Sequence, residues 1–274
     1  MEEYYKIVAY ILAGLLGVCV GSFLNVVIYR VPLGMSLAKP DSHCPKCKYR
    51  LRWYDNIPVF SYLILGGKCR SCKTHISFRY TAVEIANMLA WLLAVWAFWD
   101  DSKVFAAVVA LTSSLLICVF FIDLEHMLVF DRFVIMLLIL GGFSLFYDPY
   151  YGWSSHIIGG LAGFLVLYGV QAVFYLVTKR DGLGGGDIKL TGAVGLLLGW
   201  ERLLLAVVLA SVSACIILMI LQRKRLAAEE GDEENEGEEN PLEYPFAPFL
   251  CTGFWIALTF GAQIISWYLS LFGM

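Results

Sequence analysis

Leu115-Leu116-Ile117-Cys118-Val119-Phe120-Phe121-Ile122-Asp123 is an apolar run that ends on a single carboxylate. It closes an uncharged stretch, 104–122, long enough to cross a hydrocarbon core about 30 Å thick. Working outward, comparable stretches recur at 7–28, 82–99, 133–147, 157–177, 188–200, 202–221 and 247–272. Backbone groups left unpaired in lipid are too costly, so each stretch reads as a helix. The pattern predicts an all-α polytopic membrane protein with about eight transmembrane helices. Of these, 133–147 is short and 188–200 shorter still.

Composition agrees. Of 274 residues, 59% are hydrophobic and only 16% charged, against about 25% charged in soluble domains. The formal charge of −3 hides an uneven distribution, because eight acids fall within Glu229–Asn240. That tract reads as a solvated, disordered loop. The remainder is too weakly basic to indicate nucleic acid. If the N-terminus lies outside the cytoplasm, the loops at 29–81, 123–132, 178–189 and 222–246 are cytoplasmic. They then hold 17 of the 20 Lys and Arg residues. This satisfies the positive-inside tendency, provided that 188–200 crosses as a short helix. The first span follows a net-acidic start, Met1-Glu2-Glu3, and reads as retained rather than cleaved. Gly14, Gly17, Gly21 and Asn25 lie on one stripe of it, and Gly159 with Gly163 form a similar pair; both read as helix-packing faces.

Four of the eight cysteines lie in apolar spans and read as small hydrophobes. The others, Cys44, Cys47, Cys69 and Cys72, form two C-x-x-C knuckles 21 residues apart. That spacing points to a structural Zn2+ site, closed by four thiolates. Two local disulfides or a redox pair are the competing readings. His43 and His75 flank the knuckles and are not needed as ligands.

Asp123 and Asp187 both fall at cytoplasmic helix ends, 64 residues apart. An acid at the edge of an apolar span is a functional candidate. Facing carboxylates do not both ionise easily, so one keeps its proton and the pair can act as acid and base on a peptide bond. Gly184-Gly185-Gly186 before Asp187 admits close approach of a substrate backbone. Helix capping and proton or cation relay are the alternatives for these acids, and a zinc-stapled scaffold is a third reading of the whole chain.

In combination these features resemble bacterial type IV prepilin peptidases, the bifunctional leader peptidase/N-methyltransferases. The likeness runs from Gly21-Ser22-Phe23-Leu24-Asn25 through both knuckles and Asn56-Ile57-Pro58-Val59-Phe60-Ser61. It continues through Ile76-Ser77-Phe78-Arg79-Tyr80 with Val83-Glu84, Ile122-Asp123 and Gly184-Gly185-Gly186-Asp187-Ile188-Lys189-Leu190, to Pro245-Phe246-Ala247-Pro248-Phe249. Phe130-Asp131 stands where the family commonly has Pro-Asp, and Ala247 where it has Gly.

The resemblance implies a GxGD-type aspartic protease of the bacterial inner membrane, with Asp123 and Asp187 catalytic. It implies cleavage of a short basic leader from prepilins or pseudopilins at the cytoplasmic face, after Gly. It further implies N-methylation of the new N-terminal residue with S-adenosylmethionine. Residues 1–99 would form the N-terminal membrane segment carrying the zinc loop (29–81). Residues 100–274 would form the peptidase domain, with an acidic loop near 226–244. Glu84 is a polar candidate at the junction of loop and membrane.

Overall fold

A computed structural model describes residues 1–179, 182, 184–229 and 244–273, with only the backbone path given for 224–229. Most of the acidic tract, Asp181 and Leu183 lie outside the described residues, and Glu229 is the last residue of a helix. The elements in chain order are α1 (Glu2–Arg30), a 3-10 turn (Trp53–Asn56), α2 (Phe60–Ile64) and α3 (Arg79–Phe98). Then follow α4 (Lys103–His126), α5 (Asp131–Tyr147), α6 (Trp153–Thr178), α7 (Gly185–Leu198), α8 (Trp200–Glu229) and α9 (Ala247–Ser270). Among the described residues there is no strand, only two isolated bridges in the loop between α1 and α3.

All eight predicted spans are helical. Helices α1, α3, α4, α6, α8 and α9 are each long and apolar enough to cross a membrane. The other two are short, as read: α5 has 17 residues and α7 has 14. At 1.5 Å per residue α7 is about 21 Å long. It nevertheless reaches from the start of α5 to the start of α6. Lys189 near its start pairs with Asp131 at the start of α5, and the Leu196 carbonyl near its end bonds His156 Nδ1 at the start of α6, at 3.1 Å.

Packing follows the small residues. A Cβ on Gly21 would lie 2.7 Å from Glu84 Cα, and one on Gly17 would lie 3.0 Å from Met88 Cα, so α1 and α3 touch backbone to backbone. A Cβ on Gly163 would meet the Thr191 carbonyl at 2.7 Å, which ties α6 to α7 in the same way. In lipid such contact replaces the hydrophobic drive between helices. Buried polar groups add interhelical bonds. Asn87 Nδ2 donates to the Gly17 carbonyl at 2.7 Å, Ser114 Oγ to Asn87 Oδ1 at 2.7 Å, and Trp255 Nε1 to Ser113 Oγ at 3.1 Å. Together they join α1, α3, α4 and α9.

One polar knot was not foreseen. Arg202, at the start of α8, is fully buried and pairs with Asp148, whose side chain is buried as completely. Its guanidinium stacks 4.7 Å from the Tyr151 ring centroid, and His156 lies 3.4 Å from the same carboxylate. Ser155 bonds Glu201 beside it. These contacts tie the ends of α5, α6 and α8 opposite the candidate site.

Candidate active site and metal centre

Asp123 sits in the last turn of α4, which Met127 ends in a left-handed conformation with its N–H on the Asp123 carbonyl at 2.8 Å. Asp187 sits in the first turn of α7, after Gly184. The two carboxyl groups are close enough to interact electrostatically. Asp123 is buried and Asp187 partly so.

Helix α9 completes the arrangement. Its first turn contains Pro248, which has no N–H, while the N–H groups of Phe249 and Leu250 return to the Phe246 carbonyl. The Ala247 N–H is thus the turn's outward donor, and it meets Asp123 Oδ2 at 3.2 Å. Cys251, one turn further, is buried within electrostatic reach of both carboxyls. Around Asp187 there is little slack, since a Cβ on Gly186 would stand 2.8 Å from Val129 Cβ. The Thr191 hydroxyl donates to the Asp187 carbonyl at 2.8 Å.

The four loop cysteines come together, with all Sγ atoms within 4.8 Å of one another. Cys44 and Cys72 sulfurs are 3.8 Å apart, and those of Cys47 and Cys69 are 4.0 Å apart. Four sulfurs placed about 2.3 Å from a tetrahedral zinc would be separated by roughly 3.8 Å, so the donor set fits that ion. The separations are too long for a disulfide, and all four are free thiols. The two knuckles repeat one local fold. Lys48 N–H bonds the Cys44 carbonyl at 2.9 Å and Lys73 N–H bonds the Cys69 carbonyl at 3.0 Å, both lysines having positive φ. His43 and His75 belong to the flanking bridges, outside the cysteine cluster.

Asp55 locks the knuckles together, accepting from Arg70 Nε at 2.6 Å and from Tyr49 Oη at 3.3 Å. Burial works against its charge, but the Arg70 guanidinium and these donors hold its carboxyl below the usual carboxylate range.

Residues 15–98 match the bacterial peptidase A24 N-terminal domain, and residues 110–220 match the type IV leader peptidase family. Curated relatives named prepilin leader peptidase/N-methyltransferase include one from Pseudomonas aeruginosa, 36% identical over 94% of this chain and 93% of its own length. Those from Stutzerimonas stutzeri and Legionella pneumophila are 34% and 30% identical, each over 95% of this chain and 94% of its own length. The chain belongs to the type IV leader peptidase family. No solved structure matches it.

In this leader peptidase family member, the residues that carried the sequence resemblance fall at one end of the bundle. The segment before α9 supplies the Ala247 donor, and the Ala that replaces the common Gly keeps that N–H. Asp131, at the departure from Pro-Asp, is exposed and paired to Lys189 at 2.8 Å. Three contacts here had no sequence signal. Arg79 pairs with Glu125, registering α3 against α4. The Glu84 carboxylate takes the Val59 N–H at 2.7 Å. The polar handle on Asp123 is a backbone group, which no residue type announces.

Proposed function

We propose that the chain is a membrane aspartic endopeptidase that removes the leader from type IV prepilins or pseudopilins and N-methylates the exposed amine. The observation that carries this reading is the meeting of Asp123, Asp187 and the Ala247 N–H at one end of the bundle, in a chain of the leader peptidase family.

The Asp123–Asp187 pair does the peptidase chemistry. With one proton shared, the ionised carboxylate takes a proton from water and the protonated one donates to the scissile carbonyl oxygen. The apparent titrations belong to the pair. The Ala247 N–H fixes one Asp123 oxygen and leaves the other for water. Buried surroundings keep these interactions strong.

Cys44, Cys47, Cys69 and Cys72 hold a structural zinc ion, which gives the loop a centre that its few apolar residues do not provide. Residues 1–99 form the loop-bearing segment and 100–274 the peptidase segment. The site faces the cytoplasm across the inner membrane, the side to which positive-inside asymmetry assigns the basic loops. S-adenosylmethionine is the methyl donor implied by the N-methyltransferase relatives.

The test is a purified enzyme acting on a prepilin-like substrate, with and without S-adenosylmethionine, read by intact mass. Leader loss, followed by a donor-dependent methyl mass, supports the reading. An uncut verified substrate from mildly acidic to neutral pH rejects it and favours ion relay or a scaffold.

A further inference from the structure

We infer that Glu84, with Ser22 and Asn25, forms a receiving site for a primary ammonium group: the amine that peptide-bond cleavage exposes on the cut substrate. This rests on the function proposed above.

Glu84 is buried on α3. Its carboxylate accepts the Val59 N–H at 2.7 Å, and Ser22 lies close to it on α1. Among the described residues it has no ion-pair partner. Asn25 stands beside it on α1. Its Nδ2 donates to the Tyr80 carbonyl at 2.9 Å and faces the Gly21 carbonyl at 3.4 Å. Those two carbonyls fix the amide orientation, because the reverse would set oxygen against oxygen. Among the described residues, Asn25 Oδ1 is therefore left buried and without a hydrogen-bond partner. Tyr80 lies one helical turn from Glu84, and Gly21 packs directly on Glu84 Cα, so Asn25 and Glu84 flank the same close α1–α3 contact.

The cluster offers a carboxylate and a carboxamide oxygen to a missing donor. Water would satisfy the amide oxygen but not the charge. A primary ammonium supplies both a counter-charge and several N–H donors in one small group.

The depth is right for the cut chain. Arg79 and Glu125 register α3 against α4. Glu84 lies five residues along α3 from Arg79, about 7.5 Å, and Asp123 two residues back along α4 from Glu125, about 3 Å. The two acids thus sit within about 5 Å of the same depth on neighbouring helices. Cleavage exposes an ammonium at that depth, where an unpaired charge is costly. Glu84 gives it a partner one helix away. The carboxylate also takes the ammonium's proton. The freed nitrogen lone pair then forms a bond to the donor's methyl carbon as the methyl–sulfur bond breaks, leaving its electrons on sulfur.

The competing role for Glu84 is a staple. Val59 has φ 61°, a costly conformation for a β-branched residue, and the Glu84 bond holds it there. Glu84→Gln separates the roles, because a Gln carbonyl still accepts the Val59 N–H while the charge is lost. The experiment compares wild type, Glu84→Gln, Glu84→Asp and Ser22→Ala in detergent. It reads metal content, leader cleavage, methylation, binding of a synthetic cut-product peptide with a free or an acetylated N-terminus, and binding of S-adenosylmethionine or its des-amino analogue.

For Glu84→Gln we expect full metal content, cleavage within about twofold of wild type, and methylation down roughly 100-fold. Glu84→Asp should recover part of that loss, and Ser22→Ala should lose about threefold to tenfold. Wild type should bind the free-amine peptide more tightly than the acetylated one, and the preference should vanish in Glu84→Gln. If the lost preference instead concerns S-adenosylmethionine over its des-amino analogue, the ammonium site stands and its source is the donor. Unchanged methylation and binding in Glu84→Gln would overturn the inference. So would metal and cleavage lost together in both Glu84 variants with the peptide preference intact in Ser22→Ala. Failure of wild type to cleave would count against the proposed function itself, and the peptide-binding comparison would still judge this site.

Discussion

Asp123 and Ala247, 124 positions apart in the chain, meet through a single hydrogen bond from the Ala247 N–H to Asp123 Oδ2 at 3.2 Å. The bond joins the end of α4 to the start of α9. Asp123→Asn keeps an acceptor there and should unfold within a few tenths of a kcal/mol of wild type. Asp123→Leu orphans a buried N–H and should cost about 1–3 kcal/mol. Denaturant unfolding in detergent micelles distinguishes the two.

Gly186 positions Asp187 by what it lacks. A Cβ there would stand 2.8 Å from Val129 Cβ, so Gly186→Ala must push α7 away from the segment after α4. A displacement of about 1 Å at a reacting group costs on the order of 100-fold in rate. Gly186→Ala should lose that much cleavage, and Val129→Gly in the same chain should restore most of it. Steady-state rates of the single and double variants provide the check.

The helices were legible because hydrocarbon thickness sets their length, and eight apolar stretches stand out against charged loops. The four cysteines were legible because zinc chemistry demands that spacing. Asp123 and Asp187 drew notice as acids at the ends of apolar runs, but their approach depends on how α5 and α9 hold α4 and α7, which local sequence does not encode. The Ala247 donor is a backbone N–H and leaves no mark on residue type. The Arg202–Asp148 pair left no mark for a related reason. Nothing local to a lone Arg between apolar spans points to a carboxylate 54 positions away. The role of the acidic tract falls mostly on residues outside those described.

Arg202 and Asp148 should be strongly coupled in stability. Removing Arg202 alone, as Arg202→Met, leaves a buried carboxylate without its partner and should cost about 3–5 kcal/mol. Combining it with Asp148→Asn should recover a large part of that loss. A double-mutant cycle on unfolding free energies gives the coupling directly.

Metal retention should depend steeply on pH. The Thr74 hydroxyl and N–H draw the Cys72 thiol down to about 6. At Cys47 the Tyr49 N–H pulls downward, but burial and the neighbouring thiols push it up to about 11. Binding zinc displaces the protons these thiols still carry. The metal-bound state therefore holds fewer protons, and affinity rises with pH. Between pH 8 and 6 affinity should fall by at least about tenfold per pH unit, since each displaced proton contributes that factor. Competition against a chromophoric chelator measures it. Cys47→Ser should weaken binding at every pH in that range.

We propose that Asp123 and Asp187 act together on a peptide bond. The most direct measurement follows a prepilin-like substrate by intact mass with wild type, Asp123→Asn and Asp187→Asn at matched membrane insertion and metal content. Wild type should remove the leader, and each variant should fall by at least about 1,000-fold. Appreciable cleavage by either variant would contradict joint action of the two acids.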